Sequence, residues 1–386
     1  MQRQTIIAAM RMQLLGGRST KDFLSRYWQK RPLLIRGAIP AFGGIVQAPE
    51  LFRLAGRRDV ESRVVQRLGA RWRLEHGPFS RERLARLPKS AWTLLVQGLN
   101  LVHPAGDALL RRFNFIPYAR LDDLMVSYAV AGGGVGPHVD SYDVFLLQAG
   151  GRRRWRLSAK GAREFDAHAP IRVLRDFHPD EEWLLDPGDM LYLPPGWAHE
   201  GTALEPCFTY SIGFRAPALA ELAGEFLAWI GERAGPAGLY EDPDLRPASN
   251  AAEIPAAMLS ATERAVRAVR WSRRDVALFL GSYLTAPKPR TRFEPPRRPM
   301  DEKRFARACR ERGIALDPRS QMLCRAGQVF INGQAVRPGR GCLGPLKALA
   351  HARCLAPRRR PPAALCTLLH GWYLSGWIRV SDPHGR

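Results

Sequence analysis

Residues 132–158 read GGGVGPHVDSYDVFLLQAGGRRRWRLS, and residues 186–199 read DPGDMLYLPPGWAH. In the first stretch His138 and Asp140 stand two apart, so on an extended segment both side chains project to one face. In the second, His199 follows Pro194, Pro195 and Gly196. Two imidazoles and one carboxylate gathered on one face of an ion leave its other coordination positions open. That donor set suits a non-haem ferrous ion which must also hold a cosubstrate and oxygen. An H-x-D pair by itself is a weak signal. The plainer reading has His138 capping a loop and His199 as a hydrogen-bonded core histidine.

The framing residues favour the metal. Gly132 lies six residues before His138, and Gly188, Pro194, Gly196 and His199 are spaced G-x5-P-x-G-x2-H. Together the two stretches resemble the halves of the cupin signature. That resemblance implies a double-stranded β-helix, or jelly roll, in which neighbouring strands bring His199 beside the His138–Asp140 pair.

Parity adds a second clue. Gly151–Leu157, GRRRWRL, reads as a strand. Arg152, Arg154 and Arg156 share one face, which is expected to meet solvent; Arg153, Trp155 and Leu157 share the other. An arginine on an apolar face wants a buried anion, because an unpaired buried charge is costly. The distal carboxylate of 2-oxoglutarate would supply one through a bidentate pair. Arg153 is therefore the expected cosubstrate anchor. Tyr142 has the parity of His138 and Asp140 and is expected to line the pocket, whereas Asp143 points the opposite way.

The chain of 386 residues is long enough for two or three domains. Its 59 basic and 36 acidic residues leave a net charge of +23, which points to an anionic environment, with nucleic acid the leading candidate. No run approaches a membrane span. The start, MQRQTIIAAMRMQLLGG, has too short an apolar core for a secretion signal, so a cytoplasmic location is expected. Six cysteines, none in a C-x2-C pair, argue against a disulfide framework. His351, Cys354, Cys366 and His370 have zinc-like spacing, but Cys366 and His370 fall in an apolar helical run, and helix packing is the preferred reading.

Along the chain, Ser19 or Thr20 caps a helix that ends before Pro32, and Leu33–Arg36 follows as a strand. RVVQRLGARWRLEHGPF reads as a hairpin and AWTLLVQGL as a buried strand. The expected domains are a catalytic jelly roll over 1–215, a helical segment with a linker over 216–295, and a winged helix over 296–386. The helical segment is expected to dimerise the protein, and APKPRTRFEPPRRP, residues 286–299, reads as the linker. From Arg297 onward 18 basic residues face 5 acidic ones, a net +13 in under a quarter of the chain. Such a surface fits nucleic acid, including ribosomal RNA, or an acidic partner.

YWQKRPLLIRGAIP, DDLMVSY, GGGVGPHVDSYDVFLLQ, GRRRWRLS and DPGDMLYLPPGWAHEG together resemble the JmjC-type ribosomal oxygenases. The resemblance is strong over about residues 20–215 and weaker beyond. It implies an α+β chain with a jelly-roll oxygenase domain, a dimerising helical segment and a winged helix. It also implies Fe(II) and 2-oxoglutarate as cofactors, and 3-hydroxylation of an arginine in a large-subunit ribosomal protein. The family's iron ligands fall on His138, Asp140 and His199, and its cosubstrate arginine on Arg153. One position departs: where the family has a serine nine residues before the first metal histidine, this chain has Ala129. Ser127, two residues earlier with the same parity, is the expected substitute.

Two other classes fit part of the pattern. A cupin joined to a basic DNA-binding domain also describes a ligand-sensing transcription regulator, which would bind an operator and release no succinate. A JmjC demethylase would share the cofactors but needs a methyl-lysine pocket.

Overall fold

The computed structural model describes residues 13–159, 164–357 and 361–381. The reading of the first dozen residues as no secretion signal lies outside them. The chain divides into two compact units: one runs to Ala216 and includes Lys288–Glu294 and Asp317–Arg319, and the other holds the rest.

The first unit opens with α1 (Thr20–Arg26), capped by the Ser19 hydroxyl accepting from the Asp22 amide. It continues through β1 (Leu33–Ile35), α2 (Ala48–Ala55), β2 (Ser62–Leu68), β3 (Arg71–His76), α3 (Arg81–Ala85), β4 (Trp92–Val96), α4 (Leu99–Val102) and α5 (Pro104–Arg111). The remaining strands are β5 (Leu121–Ala129), β6 (His138–Val139), β7 (Val144–Ala149), β8 (Arg153–Ser158), β9 (Glu181–Leu185), β10 (Met190–Leu193), β11 (Ala198–Ala203) and β12 (Cys207–Phe214). They form two facing sheets, ordered β1-β10-β7-β12-β5-β4-β2-β3 and β6-β11-β8-β9. This is the expected jelly roll.

All six residues of β7 and all eight of β12 are buried, so both faces of the large sheet are covered there. Phe145, Leu147, Phe208, Tyr210 and Ile212 join the helical residues Phe23, Leu51, Leu99 and Phe113 in an outer core. Each such side chain removed from water contributes roughly 1.5–3 kcal/mol. Their alternate neighbours Val144, Leu146, Leu191 and Leu193 turn inward and meet Trp155 and Leu157 of the small sheet. Thr209, Ser127 and Gln148 share this inward parity and are buried at one register level of β5, β12 and β7. A polar layer inside an otherwise apolar barrel is the first sign of a ligand pocket.

The second unit contains α6 (Leu219–Ala234), α7 (Ala256–Ala268), α8 (Arg273–Thr285), α9 (Glu302–Arg312), β13 (Ile314–Leu316), β14 (Met322–Arg325), β15 (Gln328–Ile331), β16 (Gln334–Val336), α10 (Leu343–Ala352), β17 (Cys354–Leu355), α11 (Ala363–Leu374) and β18 (Ile378–Val380). Its strands pair as β17-β13-β18 and β14-β15-β16. Phe305, Val329, Leu346, Leu369 and Trp372 lie in one shared core.

Two segments sit differently from the sequence expectation. Helix α8 falls within the expected helical segment over 216–295, yet it packs on the β14–β16 hairpins. The Thr285 hydroxyl accepts from the Gly333 amide at 3.1 Å, and a Cβ on Gly281 would stand 2.4 Å from the Phe330 ring. An amphipathic stripe announces a buried face but not its partner. Lys288–Glu294, read as linker, belongs to the first unit: Lys288 Nζ lies 3.0 Å from Asp122, and Arg319 bonds the Arg292 carbonyl at 2.7 Å. Its charged side chains found fixed partners that composition alone does not reveal.

Candidate active site

Strands β6 and β11 pair antiparallel with His138 directly opposite His199. Opposed residues of such a pair share a face a few ångströms apart. The two ring centroids are accordingly 4.2 Å apart. Asp140, one residue past β6, brings its carboxylate within 3.9 Å of His138 Nε2 and 3.7 Å of His199 Nε2. One donor atom from each of the three lies within 4.8 Å of the others. The structure thus gathers the three residues singled out from the sequence.

The imidazoles are aimed by their other nitrogens. His138 Nδ1 lies 3.0 Å from the Gly136 carbonyl, and His199 Nδ1 lies 3.0 Å from the Trp197 carbonyl. A carbonyl only accepts, so each Nδ1 carries the proton and each Nε2 offers a lone pair to the centre. Gly136 adopts φ +74°, and a Cβ there would stand 2.8 Å from the Trp72 ring, so only glycine delivers that carbonyl. His199 is 2 % exposed. Burial, helped by the neighbouring His138, pushes its pKa down to about 4, so the ring is neutral at pH 7.

Arg153 enters from β8. On the outward face Arg152 pairs with Glu205 and Arg156 with Glu200, while the half-buried Arg154 has its Nε without a hydrogen-bond partner. Arg153 is 5 % exposed, and its Nε and Nη2 are buried with no hydrogen-bond partner. Trp155 Nε1, two residues on along the same face, is likewise buried without one. The guanidinium lies 5.8 Å from the Trp155 ring centroid, and that ring lies 5.9 Å from His199, so the three form a file into the barrel. Gly201 makes room for it, since a Cβ there would come within 2.7 Å of the indole. Buried donors left without acceptors are rare in folded proteins. Here three donors on one inward face await an anion.

Ser127 is buried, and its hydroxyl faces the Thr209 carbonyl at 3.5 Å. Tyr142 is 39 % exposed at the mouth. Partial burial of its phenol, with Asp140 and Asp123 nearby, raises its pKa above the ordinary range. Asp143 is fully buried on the opposite side, accepting from Tyr192 at 2.6 Å and Gln29 at 2.9 Å.

Two polar residues escaped the sequence reading. Asp123 sits at the bulge between β5 and β12, where a Cβ on Gly213 would meet its carboxylate at 3.4 Å, and it accepts from the Gly98 amide. Burial raises its pKa, opposed by Lys288. Asp123 lines a cavity of about 330 Å³ of mixed charge, where Asp59, Glu61 and Asp122 are matched by Lys288, Arg290, Arg292 and Arg319. The bulge breaks strand parity, which hid its direction. Thr93 lies in a strand that reads as uniformly apolar, and nothing local marks its hydroxyl.

In the second unit, His370 Nε2 bonds the Met300 carbonyl at 2.8 Å and Cys354 is exposed.

Residues 108–222 match the family model described as JmjC domain, and residues 268–378 match ROXA-like winged helix. The chain is 43% identical over 238 residues to the ribosomal protein uL16 3-hydroxylase of Escherichia coli, covering 60% of this chain and 62% of that protein. It is 40% identical over 206 residues to a probable ribosomal oxygenase of Haemophilus influenzae, covering 52% and 50%. These alignments span less than two thirds of either relative. The fold match is fuller. The X-ray structure of E. coli YcfD superposes with a TM-score of 0.80 at 32% identity, covering 93% of this chain and 97% of that one. A YcfD structure in complex with cobalt and 2-oxoglutarate superposes at 0.77. Fold, motifs and the gathered His–Asp–His set agree, and the chain belongs to the JmjC-type ribosomal oxygenases.

Proposed function

We propose that this chain is an Fe(II)- and 2-oxoglutarate-dependent hydroxylase that 3-hydroxylates an arginine side chain of a large-subunit ribosomal protein. The observation that carries the reading is one barrel holding both a His138–Asp140–His199 donor set and the unpartnered guanidinium of Arg153. Two imidazoles and a carboxylate match ferrous iron, and an acceptor-starved arginine matches the distal carboxylate of a diacid. When bound, iron and 2-oxoglutarate supply the oxidising power of dioxygen: one oxygen goes to the substrate carbon, and 2-oxoglutarate leaves as succinate and carbon dioxide.

The chain's own groups do the positioning. His138 and His199 present Nε2 because their Nδ1 protons are tied back to backbone carbonyls. Asp140 completes the face, leaving the opposite side open to ligands. Arg153 grips the diacid deep in the barrel, and Trp155 walls the passage from Arg153 to His199. Tyr142, at the mouth, meets the substrate. Arginine as the target residue is carried by the family resemblance.

The finer assignments follow the same reading. Leu219, Leu227, Leu259 and Val266 on α6 and α7 are 60 to 84 % exposed, which supports homodimerisation through these helices. Lys303, Arg304 and Arg310 of α9 are exposed and would meet ribosomal RNA phosphates near the substrate protein. Among the described residues no helix is long and apolar enough to cross a membrane, and a ribosomal target supports a cytoplasmic location. The operator-binding regulator is disfavoured, because a ligand sensor has no need of the His138–Asp140–His199 set in the same barrel as the buried Arg153 guanidinium.

Mass spectrometry of ribosomal proteins from cells with and without this protein tests the proposal. One added oxygen atom on an arginine, present only with the protein and lost in Asp140→Ala, is the expected result. Identical ribosomal masses in both strains, or the oxygen on another residue type, would overturn it.

A further inference from the structure

All five residues of β4, WTLLV, are buried. Trp92, Leu94 and Val96 belong to the outer core, so Thr93 and Leu95 project the other way, into the barrel. Ala129 lies directly across from Thr93 on β5, and Cys207 lies across from Ala129 on β12. Ala129 and Cys207 pack against Ala203 of the facing sheet, and Ala203 is the register partner of Arg153. Thr93 and Arg153 therefore start from the same end of the barrel.

Thr93 is 1 % exposed, and its Oγ1 is buried with no hydrogen-bond partner. Beside it Ala129 has no polar group, so the hydroxyl has no neighbour of its own to satisfy. A hydroxyl and a guanidinium buried without partners at one end of the barrel are unfavourable twice over, and one carboxylate between them would satisfy both. Ser127 is a poorer partner for that carboxylate. It stands two residues further along β5, opposite Leu95, and its hydroxyl faces the Thr209 carbonyl.

Building on the reading that 2-oxoglutarate binds in this barrel, we propose that Thr93 is the second residue holding its distal carboxylate. Thr93 Oγ1–H donates to one carboxylate oxygen while Arg153 donates from Nε and Nη2. The threonine methyl fills space against the alkyl chain of the diacid. Thr93 thus supplies from β4 the hydroxyl that Ala129 on β5 lacks.

The test is calorimetric titration of 2-oxoglutarate into the manganese-loaded full chain without oxygen, with circular dichroism melts to verify folding. Thr93→Val keeps the shape and removes only the donor. It should weaken 2-oxoglutarate about tenfold, the loss expected for one hydrogen bond to a charged group, and raise KM for 2-oxoglutarate with kcat at saturation held. Thr93→Ser should bind like the parent. Adding Ala129→Ser to Thr93→Val should restore most of the affinity, because that hydroxyl would arise in the next register position. Ser127→Ala should stay within about twofold of the parent. Thr93→Ala gives the same ordering should valine disturb folding. If the parent binds and both Thr93→Val and Thr93→Ala bind equally well, the Thr93 assignment is wrong and the hydroxylase reading stands. If the parent itself takes up no 2-oxoglutarate, both fall.

Discussion

Arg153→Met should move stability and ligand affinity in opposite directions. Without ligand, the wild-type barrel buries a guanidinium whose Nε and Nη2 have no partner, in a residue 5 % exposed. Methionine retains an unbranched stem and removes the charge. Replacing a buried charge by an apolar group of like volume stabilises by about 1–4 kcal/mol. The lost contact with the Trp155 ring, 5.8 Å from the guanidinium carbon, offsets about 0.5–1 kcal/mol of that. The difference leaves about 0–3.5 kcal/mol, so the ligand-free variant should be on the order of 2 kcal/mol more stable, with Tm higher by roughly 2–4 °C per kcal/mol. With 2-oxoglutarate the sign reverses. Two hydrogen bonds between charged groups, about 1.5–3 kcal/mol each, disappear. A loss near 4 kcal/mol corresponds to about a thousandfold weaker Kd. Thermal melts with and without 2-oxoglutarate, together with calorimetric titration, read both quantities. A ligand-free variant melting about 5 °C lower, with affinity unchanged within about threefold, would show Arg153 to be structural and would refute the reasoning.

Other perturbations probe different parts of the site. His138→Ala should abolish succinate release coupled to hydroxylation while the circular dichroism spectrum is preserved, because His138 is half-buried at the mouth; retained coupled turnover would remove it from the centre. Gly201→Val should drive a side chain into the Trp155 indole, where even a Cβ comes within 2.7 Å, and cost about 1–3 kcal/mol of stability along with 2-oxoglutarate binding; a neutral melt would mean the indole has room to move. In metal-free protein, His199 is held neutral with a pKa near 4 against an ordinary 6.5, so below pH 6.5 the unfolded chain takes up a proton that the folded one refuses. The stability tied to the neutral ring is complete above pH 6.5 and falls by on the order of 3 kcal/mol towards pH 4, and denaturant titrations in which His199→Gln keeps the same slope over that window would contradict it. Leu227→Glu, at a position 60 % exposed on α6, should shift light-scattering mass from dimer to monomer; an unchanged mass would remove this face from the interface.

The jelly roll was legible through the resemblance to the cupin signature, and the face shared by His138 and Asp140 from local pattern. The two-residue spacing of His138 and Asp140, and the alternation through Arg153, Trp155 and Leu157, depend only on strand geometry, which repeats every second residue whatever the surroundings. The same rule correctly turned Asp143 away from the site. What escaped needed contacts between segments distant in the chain. Thr93 and Ala129 are 36 positions apart, and no pattern within β4 says which strand it will face. Asp123 lies at a bulge, where alternation fails. Helix α8 and the stretch Lys288–Glu294 chose partners that their composition did not encode. The sequence by itself determined which side chains share a strand face, because backbone stereochemistry is local. Only the tertiary structure decided which faces close around one another, and so which buried donors at the deep end of the barrel lack an acceptor, because burial and pairing belong to the packed whole.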